Sequence, residues 1–426
     1  MERLEAMRKL WWLASAVVFF GCSASTPLSV SSPQVASGDV AVYTGDVAIN
    51  PQSQKLSARW SIRFAADSAT RDSAVFLLNP GLTISRVSGQ NVAGYTSGRR
   101  DEDQVVTIRF APRLAPGAQA RIDLDYSGVP VFGSDSINRI APAWVELGLD
   151  SYWLPVFADY CERIFGEVRI DLPPDWNAVA SGNITRDGSS LVLTTGIPLI
   201  DIAFTSSPTL SHTDAPNTSV FWTRPDSPTV ARVLGTAESC RRYLNTRYGA
   251  SDSLPSVRIV LAPRSGPGYA RRNYIVLTDA ASTPASALGG YICHEFAHFW
   301  SSGANASGPE NWLNEGFAEY VSSRYVRATF GEAQYDSTVA RWQRMSVGQP
   351  PIWTLQSTKR PSAQVAYRKA PFLLSRLEDR IGTDKMELFL QRYMVERIRT
   401  TPQLLAALED IAGPETASWF REELAR

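Results

Sequence analysis

The chain contains 426 residues, of which 44% are hydrophobic and 20% are charged, so it encodes a folded protein of two or three domains and not a disordered one. Its 42 Lys and Arg residues balance its 42 Asp and Glu residues, which gives a formal net charge of +0. This balance gives no electrostatic reason to expect nucleic acid or an anionic membrane surface as a partner.

Residues 1–21 have the pattern of an export signal peptide. The basic pair Arg8-Lys9 precedes an apolar run that ends at Gly21. This run is too short for an ordinary membrane-spanning helix and has the length of a signal-peptide core. The pattern therefore predicts that the mature protein is exported.

The junction after this run resembles a bacterial lipobox, because Gly21 precedes Cys22, the residue that would carry the lipid. A polar tether over residues 22–37 follows, and Ser23 is typical of sorting to the outer membrane. The alternative is an ordinary secretory signal that is cleaved near Ala24. Both interpretations predict a location in the bacterial periplasm, and the first adds a lipid anchor at Cys22.

Three cysteines remain in the mature chain, at Cys161, Cys240 and Cys293. An odd number in an oxidising compartment predicts at least one free thiol. A Cys161–Cys240 disulfide is geometrically possible, but the sequence does not decide it. We interpret Cys293 as a small buried helix residue and not as a metal ligand.

Residues 38–210 predict an antiparallel β-sandwich or saddle, because apolar and polar residues alternate at period two in several segments separated by turn sequences. The clearest alternation covers residues 56–64, 106–110, 122–126 and 168–172. This region shows no catalytic pattern.

Residues 211–325 mix the two periodicities, and the pattern predicts a helix over 229–248, strands over 257–261 and 274–277, and a helix over 286–301. Several further helices are predicted over residues 326–426. We expect this last region to form a small helical domain that closes one side of a cleft.

The helix predicted over 286–301 carries the sequence His294-Glu295-Phe296-Ala297-His298. Residues four apart on a helix differ by about 40° in azimuth, so His294 and His298 project from one face and both imidazoles can reach one zinc ion. Glu295 lies about 100° around the helix, where its carboxylate can accept a proton from a water on the ion without binding the ion. We therefore predict Glu295 as the general base of a zinc hydrolase.

A zinc site needs a third protein ligand, and the helix predicted over residues 312–324 supplies it. Glu315 is the natural third ligand, and Glu319, one turn further on, faces the same way and can accept a ring N–H from a ligand histidine. An H-E-x-x-H sequence alone also occurs by chance on structural helices. The second helix with its two glutamates favours the metal site.

The strings His294-Glu295-Phe296-Ala297-His298-Phe299-Trp300 and Trp312-Leu313-Asn314-Glu315-Gly316-Phe317-Ala318 resemble the gluzincin metallopeptidases of the aminopeptidase N and leukotriene hydrolase family. The resemblance implies an α+β multidomain protein with a β-saddle, a thermolysin-like catalytic domain over 211–325 and C-terminal helices. It also implies one Zn²⁺ per chain and a peptide or protein substrate.

The family places a tyrosine opposite the zinc, and Tyr367 in Val365-Ala366-Tyr367-Arg368-Lys369 matches it by position. A phenol O–H beside developing negative charge stabilises that charge more than it stabilises the ground state. Ala370-Pro371 departs from the family pattern, so we expect the backbone to bend here. The alternative is an ordinary tyrosine of an amphipathic helix.

The family's G-x-M-E-N substrate motif is missing, and Gly268-Tyr269-Ala270-Arg271-Arg272-Asn273 stands in its place. Arg271 occupies about the position of the acidic residue that would hold a free peptide N-terminus. A cation there would repel an ammonium group and suit a carboxylate or a backbone carbonyl. We therefore predict that Arg271 contacts substrate and that the protein is not a strict aminopeptidase.

These observations predict a zinc metallopeptidase that has no nucleic-acid partner and contacts a membrane only through Cys22. Two alternatives remain. One is an exported protein that binds peptides or a partner on a metallopeptidase scaffold. The other is a zinc hydrolase of a non-peptide amide or an epoxide.

Overall fold

The computed structural model describes residues 40–426 except 67–69, 101, 134–136, 161, 225, 267 and 306–307. The predicted signal peptide, the predicted tether with Cys22, and Cys161 lie outside the described residues. The strands are β1 (Val40–Asn50), β2 (Lys55–Ala65), β3 (Arg71–Leu78), β4 (Leu82–Gly89), β5 (Val92–Arg100), β6 (Asp103–Leu114), β7 (Gln119–Gly128), β8 (Arg139–Ala141), β9 (Trp144–Leu147), β10 (Val156–Phe157), β11 (Arg163–Asp171), β12 (Asn177–Ala180), β13 (Asn183–Asp187), β14 (Ser190–Thr194), β15 (Phe204–Ser207), β16 (Ser211–Ala215), β17 (Thr218–Trp222), β18 (Val257–Leu261), β19 (Tyr269–Arg271) and β20 (Tyr274–Leu277).

The helices follow mainly in the second half of the chain. They are α1 (Ser227–Tyr248), α2 (Ala285–Ala297), α3 (Asn311–Phe330), α4 (Glu332–Ser346), a π-helical turn (Val365–Lys369), α5 (Ala370–Ile381), α6 (Thr383–Val395), α7 (Thr401–Ala412) and α8 (Pro414–Leu424). Within the described part of the chain, none of these helices is both long and apolar enough to span a membrane.

The first half forms three sheets, and the predicted β-rich fold is confirmed. A seven-stranded sheet has the order β13-β14-β11-β1-β2-β7-β4, and two four-stranded sheets have the orders β10-β3-β6-β5 and β12-β15-β9-β8. Alternating side chains of β2 are buried, as its sequence period predicts. In the core, Trp60 Nε1 donates to Tyr126 Oη at 2.7 Å, and Tyr126 Oη donates to the Trp153 carbonyl at 2.6 Å.

A five-stranded sheet of order β16-β17-β18-β20-β19 begins the second half, with β17, β18 and β20 parallel. Helix α1 follows β17 and is capped by Asp226, whose side chain accepts from the Thr229 backbone N–H. Helices α2 and α3 pack against each other beyond this sheet. All residues of α3 from Asn311 to Val326 are buried, so α3 is the central helix of this half and not a helix with one packed face.

Two buried ion pairs join the β-rich half to the five-stranded sheet. Arg264 forms two hydrogen bonds with Glu146 of β9, at 2.8 and 2.5 Å, and both side chains are almost fully buried. Arg271 of β19 donates from Nε to Asp201 Oδ1 at 2.7 Å. A small apolar cluster that contains Trp144, Leu210 and residues of β18–β20 fills the space between the halves.

One continuous core connects the region predicted as catalytic with the region predicted as a separate helical domain. This core extends from Val220 to Leu424. The predicted boundary between residues 325 and 326 falls inside α3, which continues to Phe330. Residues 326–426 are therefore packed onto α2 and α3 as part of the same folded unit.

The structure also corrects the cysteine assignment, because Cys240 of α1 forms a disulfide with Cys293 of α2. The Cα atoms are 5.6 Å apart, and both residues are fully buried. Cys240 is therefore not the partner of Cys161. Cys293 does point away from the ligand face of α2, as its position one residue before His294 requires, but it points at α1 and not merely into an apolar core.

Candidate metal centre

Three ligand atoms converge where α2 and α3 pack together. His294 Nε2 and His298 Nε2 are 3.2 Å apart, and Glu315 Oε2 lies 3.6 Å from the first and 3.4 Å from the second. All three side chains are buried. Ligands held at about 2.0–2.1 Å in a tetrahedral arrangement are separated by roughly 3.3–3.4 Å, so this group fits Zn²⁺ in both spacing and ligand type.

Helix α2 ends at Ala297, four residues earlier than predicted, and His298 begins a turn. This turn brings the Ser301 carbonyl to 3.2 Å from Nδ1 of His298, the second predicted ligand. The corresponding contact of the first ligand is His294 Nδ1 to Glu319 Oε2 at 3.1 Å. Each imidazole thus has an acceptor for its Nδ1–H, so Nε2, which is directed at the metal position, is the atom that would give up its proton and bind a metal.

Glu319 is itself held by two donors. Arg368 Nη1 donates to Glu319 Oε1 at 2.9 Å, and Trp342 Nε1 lies 3.4 Å from the same oxygen. The helical spacing in the sequence predicted the contact of Glu319 with a ligand histidine but indicated neither of these donors. Adjacency to Tyr367 was the one available signal for Arg368.

Charge in this buried cluster favours a cation between the three ligand atoms. Burial alone would lower the pKa of His294, but hydrogen bonds to Glu315 and Glu319 outweigh it and raise this pKa to about 10. Burial would raise the pKa of Glu315, but the two histidines hold it well below its usual range. The site therefore keeps its carboxylate ionised and attracts a positive charge, which a metal ion can supply in place of a proton.

Glu295 is fully buried beside the ligands and next to Tyr291, one turn earlier on α2. Burial and then the negative charge of Glu295 raise the pKa of Tyr291 far above its usual value, so this phenol stays protonated. The chain just before the edge strand β19 lies close to Tyr291. A Cβ atom at Gly268 would collide with Tyr291 Oη and the Val276 carbonyl, which explains a glycine at that position.

Tyr367 lies over the first ligand, with its ring centroid 5.7 Å from that of His294 and an interplanar angle of 20°. It belongs to the π-helical turn, which is the local distortion that Pro371 predicts. Pro371 has no N–H to donate to the Tyr367 carbonyl, and Arg368 Nη1 donates to that carbonyl instead at 2.7 Å. The turn therefore directs Tyr367 at the metal position and Arg368 at Glu319.

Arg271 does not join these residues. It is 4% exposed and held by Asp201, and it is absent from the lining of the large cavity that contains His294 and Tyr367. The prediction that Arg271 contacts substrate is thus corrected. The sequence could not show this, because Asp201 lies 70 residues upstream in another part of the fold.

Comparisons with known proteins agree with the geometry. Residues 269–420 match the family model described as the peptidase family M1 domain. Leucine aminopeptidase 2 of Aspergillus terreus is 32% identical over 120 residues, which are 25% of this chain and 19% of that protein. A leukotriene A-4 hydrolase homolog of Botryotinia fuckeliana is 40% identical over 57 residues, which are 13% of this chain and 9% of that protein. The matched segments therefore span about a fifth or less of these relatives' length.

Solved structures share the fold over most of the chain. An M1 zinc metallopeptidase from Deinococcus radiodurans superimposes with a TM-score of 0.67 at 18% identity and covers 91% of this chain and 93% of its own. Yeast LTA4 hydrolase gives a TM-score of 0.66 at 16% identity, over 90% of this chain and 66% of its own. These matches confirm the fold class. The family-model match over residues 269–420 agrees with the resemblance found in the two motif strings.

Proposed function

Because residues 269–420 match the peptidase family M1 domain model, we propose that this protein is a zinc-dependent metallopeptidase that hydrolyses peptide bonds. The observation that carries the proposal is the tetrahedral spacing of the ligand atoms of His294, His298 and Glu315, with Glu295 buried directly beside them. These three residues would hold the ion. Bound zinc supplies Lewis acidity, which lowers the pKa of water towards neutrality and polarises a substrate carbonyl.

In the proposed hydrolysis, Glu295 transfers the proton. Its carboxylate accepts the proton of the attacking water, and it then delivers that proton to the nitrogen of the departing amine. Its position on α2, one residue from a ligand but on a different azimuth, keeps it near the reacting atoms and off the metal. Its burial excludes bulk water, which would compete for the proton.

Tyr367 donates a hydrogen bond to the oxygen that gains negative charge as the carbonyl is attacked. Burial and then the charge of Glu315 raise the pKa of Tyr367 well above its usual value, so the phenol remains a donor at neutral pH. The π-helical turn fixes its orientation over His294.

For specificity, we propose that cleavage does not require a free peptide N-terminus. The edge strand β19 contributes no carboxylate, because its residues are Tyr269, Ala270 and Arg271, and Asp201 already neutralises Arg271. One observation favours the aminopeptidase alternative that the names of the relatives suggest. Asp150, an exposed carboxylate of the β-rich half, lines a small recess together with Gly268 and Arg271.

Peptides with free and acetylated N-termini test this proposal. We expect values of kcat/KM within about tenfold of each other, whereas a site built around an ammonium group rejects the blocked analogue by roughly 10⁴-fold. Product mapping by mass spectrometry gives the cleaved bond in each case. Cleavage of free N-termini alone would contradict the proposal, and the loss of that cleavage in Asp150→Asn would then identify Asp150 as the group that binds the ammonium.

We also propose that the protein is exported and anchored by a lipid on Cys22. The Cys240–Cys293 disulfide supports export, because disulfides persist in oxidising compartments such as the periplasm. Metabolic labelling with a fatty acid is expected to label the wild-type protein in the membrane fraction and to leave Cys22→Ala unlabelled. Cys161→Ala is the matched control and should remain labelled. An unlabelled, freely secreted wild type would show that cleavage near Ala24 is correct.

A further inference from the structure

A cavity of about 330 Å³ opens beside the metal position. His294, Glu319 and Tyr367 belong to its lining, together with other residues of α2, α3, α4 and the loop after β20. A sphere of that volume is about 9 Å across, which corresponds to two or three residues of extended chain at ~3.3–3.6 Å each. The cavity therefore has room for a short segment of substrate next to the reacting bond.

Helix α4 presents a stripe of polar groups to this cavity. Gln334, Thr338 and Arg341 line it at intervals of four and three residues, while Tyr335 and Trp342 anchor the helix in the interior. Arg341 is half-buried, and Arg344, one turn on, is exposed at the same cavity.

Positive charge exceeds negative charge in the lining. Three guanidinium groups, those of Arg341, Arg344 and Arg368, face two carboxylates, those of Glu319 and Asp279. Arg368 is directly paired with Glu319 at 2.9 Å, and Glu319 also holds His294. Asp279 belongs to the loop after β20. The charge that α4 brings to this cavity is thus wholly positive.

The hydroxyl groups of the lining are mostly committed as donors to backbone carbonyls. Ser322 donates to the Glu319 carbonyl, Ser323 to Tyr320, Thr278 to Gly266 and Thr283 to Asp279. Charged guanidinium groups are stronger donors than hydroxyl groups, and α4 brings two of them, Arg341 and Arg344, to the cavity. Burial lowers the pKa of Arg341, and the negative charge of Glu319 raises it in opposition. The positive charges of Arg368 and Arg344 lower this pKa further, so an anion bound beside Arg341 would be stabilised.

From this arrangement we propose that Arg341, with Arg344 at the opening, binds a carboxylate of the substrate segment that follows the cleaved bond. The planar fork of a guanidinium matches a carboxylate in geometry as well as in charge. Two sources share this chemistry, the C-terminal carboxylate of a short peptide and an acidic side chain. The C-terminal carboxylate of a peptide lies on the part of the substrate that leaves as the amine product. If it is the group bound, this part of the substrate occupies the cavity. The inference rests on the proposed peptidase function.

The test uses the zinc-loaded enzyme and one short peptide in three forms: the free acid, the C-terminal amide, and the amide with glutamate as its last residue. We expect wild type to cleave the free acid about 10- to 100-fold more efficiently than the plain amide, which is the effect of one charge-assisted hydrogen-bonded pair. Arg341→Ala should lower kcat/KM for the free acid to that of the amide. Arg341→Lys should retain part of the preference.

Arg380→Ala is the matched control, because Arg380 pairs with Glu415 at the surface and should leave the preference intact. A preference restored by the terminal glutamate assigns the site to acidic side chains, and a preference for the free acid alone assigns it to the C-terminus. Equal cleavage of all three forms by wild type overturns the inference and leaves the peptidase function standing.

Calorimetry with Glu295→Gln separates the inference from the proposed function. If wild type with bound zinc cleaves no peptide, the peptidase function fails. The carboxylate site would then still be supported if Glu295→Gln binds the free acid more tightly than the amide. The Glu295→Gln, Arg341→Ala double variant should lose this difference. Equal binding of both peptides would refute it.

Discussion

Replacing Glu295 by glutamine is expected to lower kcat roughly 10²- to 10⁴-fold while zinc stays bound. Glutamine has nearly the same shape and fits the same buried position, but its amide cannot accept the proton of the attacking water. The three ligands are unchanged, so the zinc content should equal that of wild type. Steady-state kinetics on a cleaved peptide, together with metal analysis of the same preparation, measure both quantities.

Glu332→Gln provides the matched control, because Glu332 is a glutamate at the start of α4 that pairs with Arg327 at the surface. It should retain wild-type turnover. Undiminished turnover in Glu295→Gln with full zinc content would refute Glu295 as the general base. Loss of zinc would instead show that Glu295 helps to hold the metal.

Removing the Cys240–Cys293 disulfide is expected to lower the free energy of unfolding by about 4 kcal/mol. The bridge closes a loop with a sequence separation of 53 residues. The loop-entropy relation gives about 4 kcal/mol for a loop of that size. Urea unfolding of the Cys240→Ala, Cys293→Ala double variant and of wild type, with zinc at saturation in both, measures the difference.

Reductant is the internal control for this experiment. It should shift the unfolding midpoint of wild type towards that of the double variant and leave the double variant unchanged. Equal stability of oxidised and reduced wild type would contradict the expectation. Because Cys293 directly precedes His294, we also expect the reduced protein to hold zinc more weakly.

Much of the fold follows from local patterns in the sequence. The alternation around Trp60 predicted β2, and the apolar runs at residues 257–261 and 274–277 predicted β18 and β20 with the bounds that the structure has. These elements were predictable because their side-chain period reports which face is buried. The end of α2 was missed, since the turn at His298 is set by contacts with Ser301 and not by a helix-breaking residue.

The convergence of His294, His298 and Glu315 was predictable for the same reason, because these residues lie at fixed offsets on two helices. The partners of these residues were harder. Arg368 reaches Glu319 across 49 residues, and Asp201 reaches Arg271 across 70, so only the packing of distant elements brings each pair together. Because Asp201 pairs with Arg271, Arg271 belongs to a structural ion pair and not to the predicted substrate contacts.

The ion pairs Glu146–Arg264 and Asp201–Arg271 link the β-rich half to the part of the chain that follows it, so they indicate where the chain can be divided. The segment that carries the family signature begins at residue 269, but the counter-ion of Arg271 within it lies before that point. A fragment cut at the family boundary would retain a guanidinium buried for a partner it no longer has, and breaking such a pair costs about 3–5 kcal/mol. The segment that matches the family model therefore does not contain every residue that stabilises it, because Asp201 of the β-rich half neutralises the buried Arg271.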